Sequence, residues 1–224
     1  MSSKFNKDYF ESGVATKKSC YENYRWIPEL TYPMAFSFVQ YLKLKSSSRV
    51  LEYGCAHGFL VKALNDFHIN TFGVDISSYA ITNSPSSIKG KVSTIVNSDL
   101  EKTLLKMGIK SSFNVVIAKD VFEHIPKKKL GQILTKLSEL TERLFIIVPL
   151  GDNGNFRINT YHLDPTHVIA EDEIWWKNKI EANGFRLVDS RYKIKGIKDK
   201  WYNIHRKGNG FFLAESLYGK HSGK

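Results

Sequence analysis

The chain has 224 residues, enough to bury a substantial apolar core, and its 42% hydrophobic and 25% charged residues exclude a repeat array, a mini-protein and a largely disordered chain. Its net charge of +11 is unevenly placed: Lys177 to Lys224 carries 12 Lys and Arg against 4 Asp and Glu, leaving only +3 for the first 176 residues. Such an excess suits a polyanionic partner, nucleic acid or an anionic membrane, and equally a solvated surface.

The opening residues lack the apolar stretch of a signal peptide. They are rich in aromatics instead, with Tyr9-Phe10 and Tyr21-Glu-Asn-Tyr-Arg-Trp26. Pro33 to Leu44 predicts a helix with Met34, Phe38, Val39 and Leu42 facing inward. From Arg49 onward β-rich runs alternate with helical periods, the signature of a parallel sheet covered by helices. Arg49 to Glu52 is a first strand, running through the tight turn Gly54-Cys-Ala-His-Gly58 into a helix with Leu60, Val61, Leu64 and Phe67 on one face. Thr71 to Asp75 is a second strand, followed by a short helical stretch through Tyr79 and Ile81, and Val92 to Val96 a third.

Phe113 to Ala118 is a fourth strand, continuously apolar as expected for burial on both faces. Pro126 opens a helix with Leu130, Ile133, Leu134, Leu137 and Leu140 on its inner face. Leu144 to Val148 is a fifth strand. The apolar run there, to Leu150, is the longest in the chain and far too short to span a bilayer. Gly151 to His167 has no periodicity and reads as a long functional loop. Ile174 to Ala182 is helical, and Phe185 to Ile194 and Phe211 to Leu217 are closing strands. The two cysteines, Cys20 and Cys55, form no CxxC pair, so neither a disulfide framework nor a cysteine zinc site is expected, and a cytoplasmic setting follows.

Two features carry chemistry on consecutive strands. Glycines in Gly54-x-Ala56-x-Gly58 let the backbone turn sharply and approach a ligand, while the N–H groups of the helix start attract its polar parts. Asp75, 23 residues after Glu52, ends the second strand, where an acid can take both hydroxyls of a ribose. Either alone is ambiguous with a structural turn. Together they favour a nucleoside-containing cofactor. A nicotinamide dinucleotide fits poorly, because Glu52 stands directly before the turn that would face its pyrophosphate.

Val50-Leu-Glu-Tyr-Gly-Cys-Ala-His-Gly58, Gly73-Val-Asp75, Asn97-Ser-Asp99-Leu100 and Phe113-Asn-Val-Val-Ile-Ala-Lys-Asp-Val-Phe-Glu-His-Ile125, in this order, resemble the successive motifs of class I S-adenosylmethionine-dependent methyltransferases. The resemblance covers Arg49 to Pro149 well and the remainder loosely. It implies an α/β fold, a doubly wound, mostly parallel, seven-stranded Rossmann-like sheet with helices on both faces. It further implies an N-terminal helical lid over residues 1–48 and a single methyltransferase domain over 49–224. S-adenosylmethionine is then the cofactor. Gly54, Ala56 and Gly58 would wrap its methionine part with Glu52 orienting the loop, and Asp75 would hold the ribose with Ile76 against the adenine. Asp99 would accept from the adenine amine beside Leu100, and Ala118 and Lys119 would line the methionine end. Ala56 replaces the middle glycine usual in the family, and Lys119 stands where smaller or acidic residues are usual, so its side chain is expected to point away. Tyr9, Tyr24 and Arg25 would contact cofactor or substrate from the lid.

Methyl transfer asks the protein mainly to hold a nucleophile in line, and an oxygen acceptor also needs a base. His124, just past the fourth strand, and His167, in the long loop, are the candidate catalytic bases. Equally open is a purely structural role for each, with Glu123 and His124 bonding the loop and His167 a turn histidine held by the backbone. His162, Asp164 and His167 lie in a loop with no regular spacing, and no metal is expected. The Asp164-Pro-Thr-His167 stretch, with Trp175-Trp176 and Asn183-Gly-Phe185, resembles small-molecule and glycan-modifying members of the family. O-methylation of a small polar acceptor such as a sugar or glycan intermediate is therefore the leading expectation. RNA methylation through the basic segment Lys195 to Gly208 and a non-catalytic partner subunit are the alternatives.

Overall fold

Each strand-like run in the sequence is a strand in the structure, a computed structural model that describes residues 4–95 and 99–218. The described residues fall into two units, one running to Ser111 and including Leu163–Thr166, the other comprising the rest.

The first unit contains α1 (Lys7–Glu11), α2 (Gly13–Thr16), α3 (Pro28–Leu42), β1 (Arg49–Tyr53), α4 (Phe59–Asp66), β2 (Asn70–Asp75), α5 (Ser78–Thr82), β3 (Val92–Thr94) and α6 (Leu100–Lys106). β1 and β2 pair in parallel with Glu52 opposite Gly73, and β2 pairs in parallel with β3. Helix α3 starts earlier than the sequence suggests, at Pro28, because a proline costs nothing at the first helical position. Phe38 and Leu42 are buried as expected, but Met34 and Val39 only half so, with Thr31 and Ala35 completing the inner face. In α4, Leu60, Val61, Ala63 and Leu64 are buried, whereas Phe67 caps the helix and stays exposed. Asn97 and Ser98 of the third motif lie outside the described residues, as does Val96.

The second unit contains β4 (Phe113–Lys119), α7 (Lys127–Leu140), β5 (Thr141–Pro149), β6 (Gly151–Asp152), β7 (Asn155–Phe156), α8 (Glu173–Glu181), β8 (Phe185–Arg191), α9 (Asp199–Ile204) and β9 (Asn209–Ser216). β4 and β5 are parallel, and β9 lies antiparallel between β5 and β8. Val115 to Ala118 and Leu144 to Val148 are buried, and α7 covers them with Leu130, Leu134 and Leu137. Each such side chain contributes about 1.5–3 kcal/mol of burial. With three strands in the first unit and four in the second besides the β6/β7 pair, mostly parallel, the strand set is that of the seven-stranded Rossmann-like architecture expected.

The aperiodic loop is ordered by a small core of its own, Phe156, Ile158, Tyr161 and Ala170 with Trp201 against them. It contains the β6/β7 hairpin and a 3-10 turn, Asn159–Leu163. Among the described residues no helix is long and apolar enough to cross a membrane.

Candidate active site

In the first unit, the chain leaves β1 through a turn that needs left-handed backbone at three positions: Gly54 at φ 78°, Ala56 at φ 48° and Gly58 at φ 71°. Packing at Gly58 is also close, since a Cβ there would meet Ile88 Cδ1 at 2.7 Å and displace that side chain. The turn is tied to the end of β2. Gly54 N donates to Val74 O at 2.7 Å, and Ala56 N donates to Asp75 Oδ2 at 2.7 Å. Asp75 Oδ1 accepts from Ser77 N at 2.7 Å. Burial raises the Asp75 carboxyl above its usual range, with the amides of Ser77, Ala56 and Ile76 pulling the other way. The three amides leave part of the acceptor capacity of this carboxylate, about two sites per oxygen, for a ligand hydroxyl.

Ile76, beside it, is 55% exposed, an uncovered apolar surface next to that carboxylate. Glu52 is buried at the end of β1. Asp99 is half-buried, and its Oδ1 caps α6 by accepting from Lys102 N at 2.9 Å. Leu100 is 6% exposed, so it packs inward in the first turn of α6.

The N-terminal aromatics close on this turn. Tyr9 and Phe10 form a cluster with Phe5, Tyr21, Tyr24, Ala56 and Tyr79. The His57 ring lies 5.0 Å from Phe10 and 5.1 Å from Tyr24. Its Nε2 is buried with no hydrogen-bond partner, and burial lowers its pKa. Tyr9 donates to Asp164 Oδ2 at 2.7 Å, while Asp164 Oδ1 accepts from Thr166 N at 2.9 Å. Asp164 is therefore a fastening for the N-terminal segment. Arg25 is exposed and donates to Asn23 O at 3.4 Å.

In the second unit, a charged cluster stands at the end of β4. Ala118 is buried, and Lys119 Nζ donates to Asp120 Oδ2 at 2.8 Å. Asp120 adopts φ 55°, which aspartate tolerates, and bends the chain into the 3-10 turn Phe122–His124. Lys198, just before α9, also donates to Asp120. Burial alone would raise the Asp120 carboxyl, and the two ammonium groups reverse this and hold it well below the usual range. Burial, then the nearby Asp120 charge, pushes the Glu123 carboxyl up.

His167 is brought to His124 by the backbone. Val168 N and Ile169 N both donate to Glu123 O, at 2.8 and 3.2 Å, and the two rings lie 4.6 Å apart. His167 Nδ1 is 2.8 Å from Tyr161 O. Tyr161 in turn donates to Asn209 Oδ1 at 2.6 Å. Glu123, His124 and His167 thus converge, one ligand atom of each within 4.8 Å of the others. The trio drawn from the loop alone is not what assembles: His162 Nε2 accepts from Phe156 N at 3.2 Å, and Asp164 holds Tyr9. Sequence reading named His124 and His167 singly. It paired Glu123 with His124 only as loop-bonding residues, and missed their meeting with His167 and Lys198 as the partner of Asp120, because each of these pairings joins segments far apart in the chain.

A family model described as a methyltransferase domain matches residues 28–190, most of the chain. The chain belongs to that family, as its resemblance to class I S-adenosylmethionine-dependent methyltransferases implied. Solved structures share the fold. One is a chain from the complex between the Haloferax volcanii Trm112 methyltransferase activator and a methyltransferase, at a TM-score of 0.63 and 11% identity, covering 84% of this chain and 91% of that one. An S-adenosylmethionine-dependent methyltransferase from Clostridium acetobutylicum ATCC 824 gives 0.60 at 12% identity, covering 86% and 92%. The mitomycin 7-O-methyltransferase MmcR gives 0.56 at 15% identity, covering 84% of this chain and 54% of that one. No curated protein matches the sequence.

Proposed function

We propose that this methyltransferase moves the methyl group of S-adenosylmethionine onto a hydroxyl of a small polar acceptor, of the sugar or glycan class. The observation that carries the cofactor is Asp75: a buried carboxylate at the end of β2, held by backbone amides with acceptor capacity to spare, beside an exposed Ile76 and a left-handed turn. In this reading Asp75 takes the ribose hydroxyls, Ile76 meets the adenine, and Gly54, Ala56 and Gly58 wrap the methionine part with Glu52 behind them. Asp99 meets the adenine amine through the oxygen not capping α6, Leu100 backs that contact from the interior, and Ala118 and Lys119 shape the methionine end. When bound, the cofactor supplies an electrophilic methyl on a sulfonium, so the chain need only bind, orient and assist loss of the acceptor's proton.

The convergence of His124 and His167 supports an oxygen acceptor, whose proton must leave for attack at neutral pH. The solved mitomycin 7-O-methyltransferase of the same fold acts on oxygen. The N-terminal aromatics serve as a lid over the turn, and the acceptor is anionic enough to tolerate the basic C-terminal surface. The test is incubation of the chain with labelled S-adenosylmethionine and fractionated sugar and nucleotide-sugar acceptors. Label is expected in an alkali-stable ether of one acceptor, lost in the His124→Ala/His167→Ala double variant. Label appearing only in RNA would overturn the acceptor class.

A further inference from the structure

We propose that Glu123, His124 and His167 bind one divalent first-row transition-metal ion, which takes the acceptor hydroxyl as a further ligand. Bonds of about 2.0–2.2 Å to one ion place its ligand atoms roughly 3–4 Å apart. The three donors already lie within 4.8 Å of one another, and small side-chain shifts of the half-buried imidazoles close the rest.

A second observation is independent of that proximity. Glu123 is 1% exposed, and its Oε2 is buried without a hydrogen bond. The ammonium groups of Lys119 and Lys198 both hydrogen-bond Asp120. A buried carboxylate oxygen left in this way is costly, and a cation on the histidine side satisfies it.

The tautomer of His167 agrees. Its Nδ1 is 2.8 Å from Tyr161 O, which only accepts, so Nδ1 carries the proton and Nε2 is the lone-pair nitrogen. A ring oriented by a carbonyl through its other nitrogen is the usual support of a metal-binding histidine. The backbone bonds from Val168 and Ile169 to Glu123 O fix the geometry before any ion arrives. Two imidazoles and one carboxylate suit Mn(II), Fe(II), Co(II) or Zn(II) better than Mg(II) or Ca(II), which favour all-oxygen shells.

Three protein ligands leave positions open, and an acceptor oxygen placed there has its hydroxyl pKa lowered. The proton then leaves to solvent, the oxygen lone pair forms the new bond to the methyl carbon, and the carbon–sulfur pair stays on sulfur as a neutral thioether. This role rests on the O-methylation reading; binding of the ion does not.

The experiment uses the full chain after EDTA treatment, titrated calorimetrically with Mn(II) and separately with S-adenosylmethionine. One Mn(II) per chain is expected, with imidazole nitrogen modulation in its electron spin echo. Affinity should fall by at least about tenfold in His124→Ala and in His167→Ala. No stoichiometric binding, no nitrogen modulation, or unchanged affinity in both variants would overturn the site. S-adenosylmethionine binding without Mn(II) binding defeats this inference alone, and the reverse defeats the methyltransferase reading alone. The spin-echo signature is read on the native chain, so misfolding of a variant does not decide the question.

Discussion

Ala56 holds φ 48°, a left-handed conformation that costs a residue with a Cβ about 1–2 kcal/mol. The glycine usual at this point of the family's motif avoids that cost. Ala56→Gly is accordingly expected to leave thermal stability unchanged or raise it by up to about 1 kcal/mol, where glycine elsewhere in the turn region would lower it; a scanning calorimeter reads the sign. The motif letters alone gave the departure from glycine but not its strain, because φ is set by the hydrogen bond from Ala56 N to Asp75.

His57, next along, is 5% exposed among Phe10, Tyr24, Phe59 and Tyr79, and burial depresses its pKa. Above the unfolded value of about 6.5 the ring is neutral in both states. Below it the unfolded chain takes up a proton that the folded chain refuses, so stability falls with pH until the folded value is reached. Melting temperature should drop as pH falls below about 6.5, and the drop should be smaller in His57→Gln. An unchanged slope would remove His57 from this account.

At the scale of elements, periodicity located the strands well, and missed what periodicity does not encode. Helix α6 was not read, since its seven residues are too few to show a period and are bounded by a capping Asp99 rather than by an apolar face. The stretch Gly151 to His167 read as a loop because its order comes from Phe156, Ile158 and Tyr161 packing with Ala170 and Trp201, residues with no common spacing. His124 and His167 were individually legible as chemistry. Their meeting was not, since it depends on Val168 and Ile169 bonding the Glu123 carbonyl.

The Asp120 and Lys198 pair fastens the segment around α9 to the end of β4. Asp120 has a depressed pKa, so the pair's contribution is present above the unfolded carboxyl value of about 4 and is lost as pH falls through the folded one. Lys198→Met should expose the stretch from Lys195 to Lys207 to proteolysis, with the chain otherwise folded by circular dichroism. Asp120→Asn should flatten the acid limb of the stability curve. The N-terminal segment has its own fastening, and Tyr9→Phe is expected to cost about 1–2 kcal/mol by removing its bond to Asp164, read as faster amide exchange in α1.

For the whole molecule, the +11 charge, most of it in Lys177 to Lys224, is partly inward-facing or covered. Lys198 is 8% exposed at its side chain, and Lys193 and Arg206 lie over Tyr202, as Lys207 does over Tyr192. Rings already covered by cations are poor stacking platforms for bases. A single-stranded RNA oligomer is therefore expected to bind weakly at physiological salt, in a filter or anisotropy assay.

The central claim is that the turn after β1 and the acid ending β2 hold S-adenosylmethionine. Isothermal calorimetry of the native chain tests it most directly. One molecule of S-adenosylmethionine per chain is predicted, with affinity reduced at least about tenfold in Asp75→Asn, which keeps an acceptor for one backbone amide while losing the charge. No heat of binding to the native chain, or equal affinity in a folded Asp75→Asn variant, would contradict it.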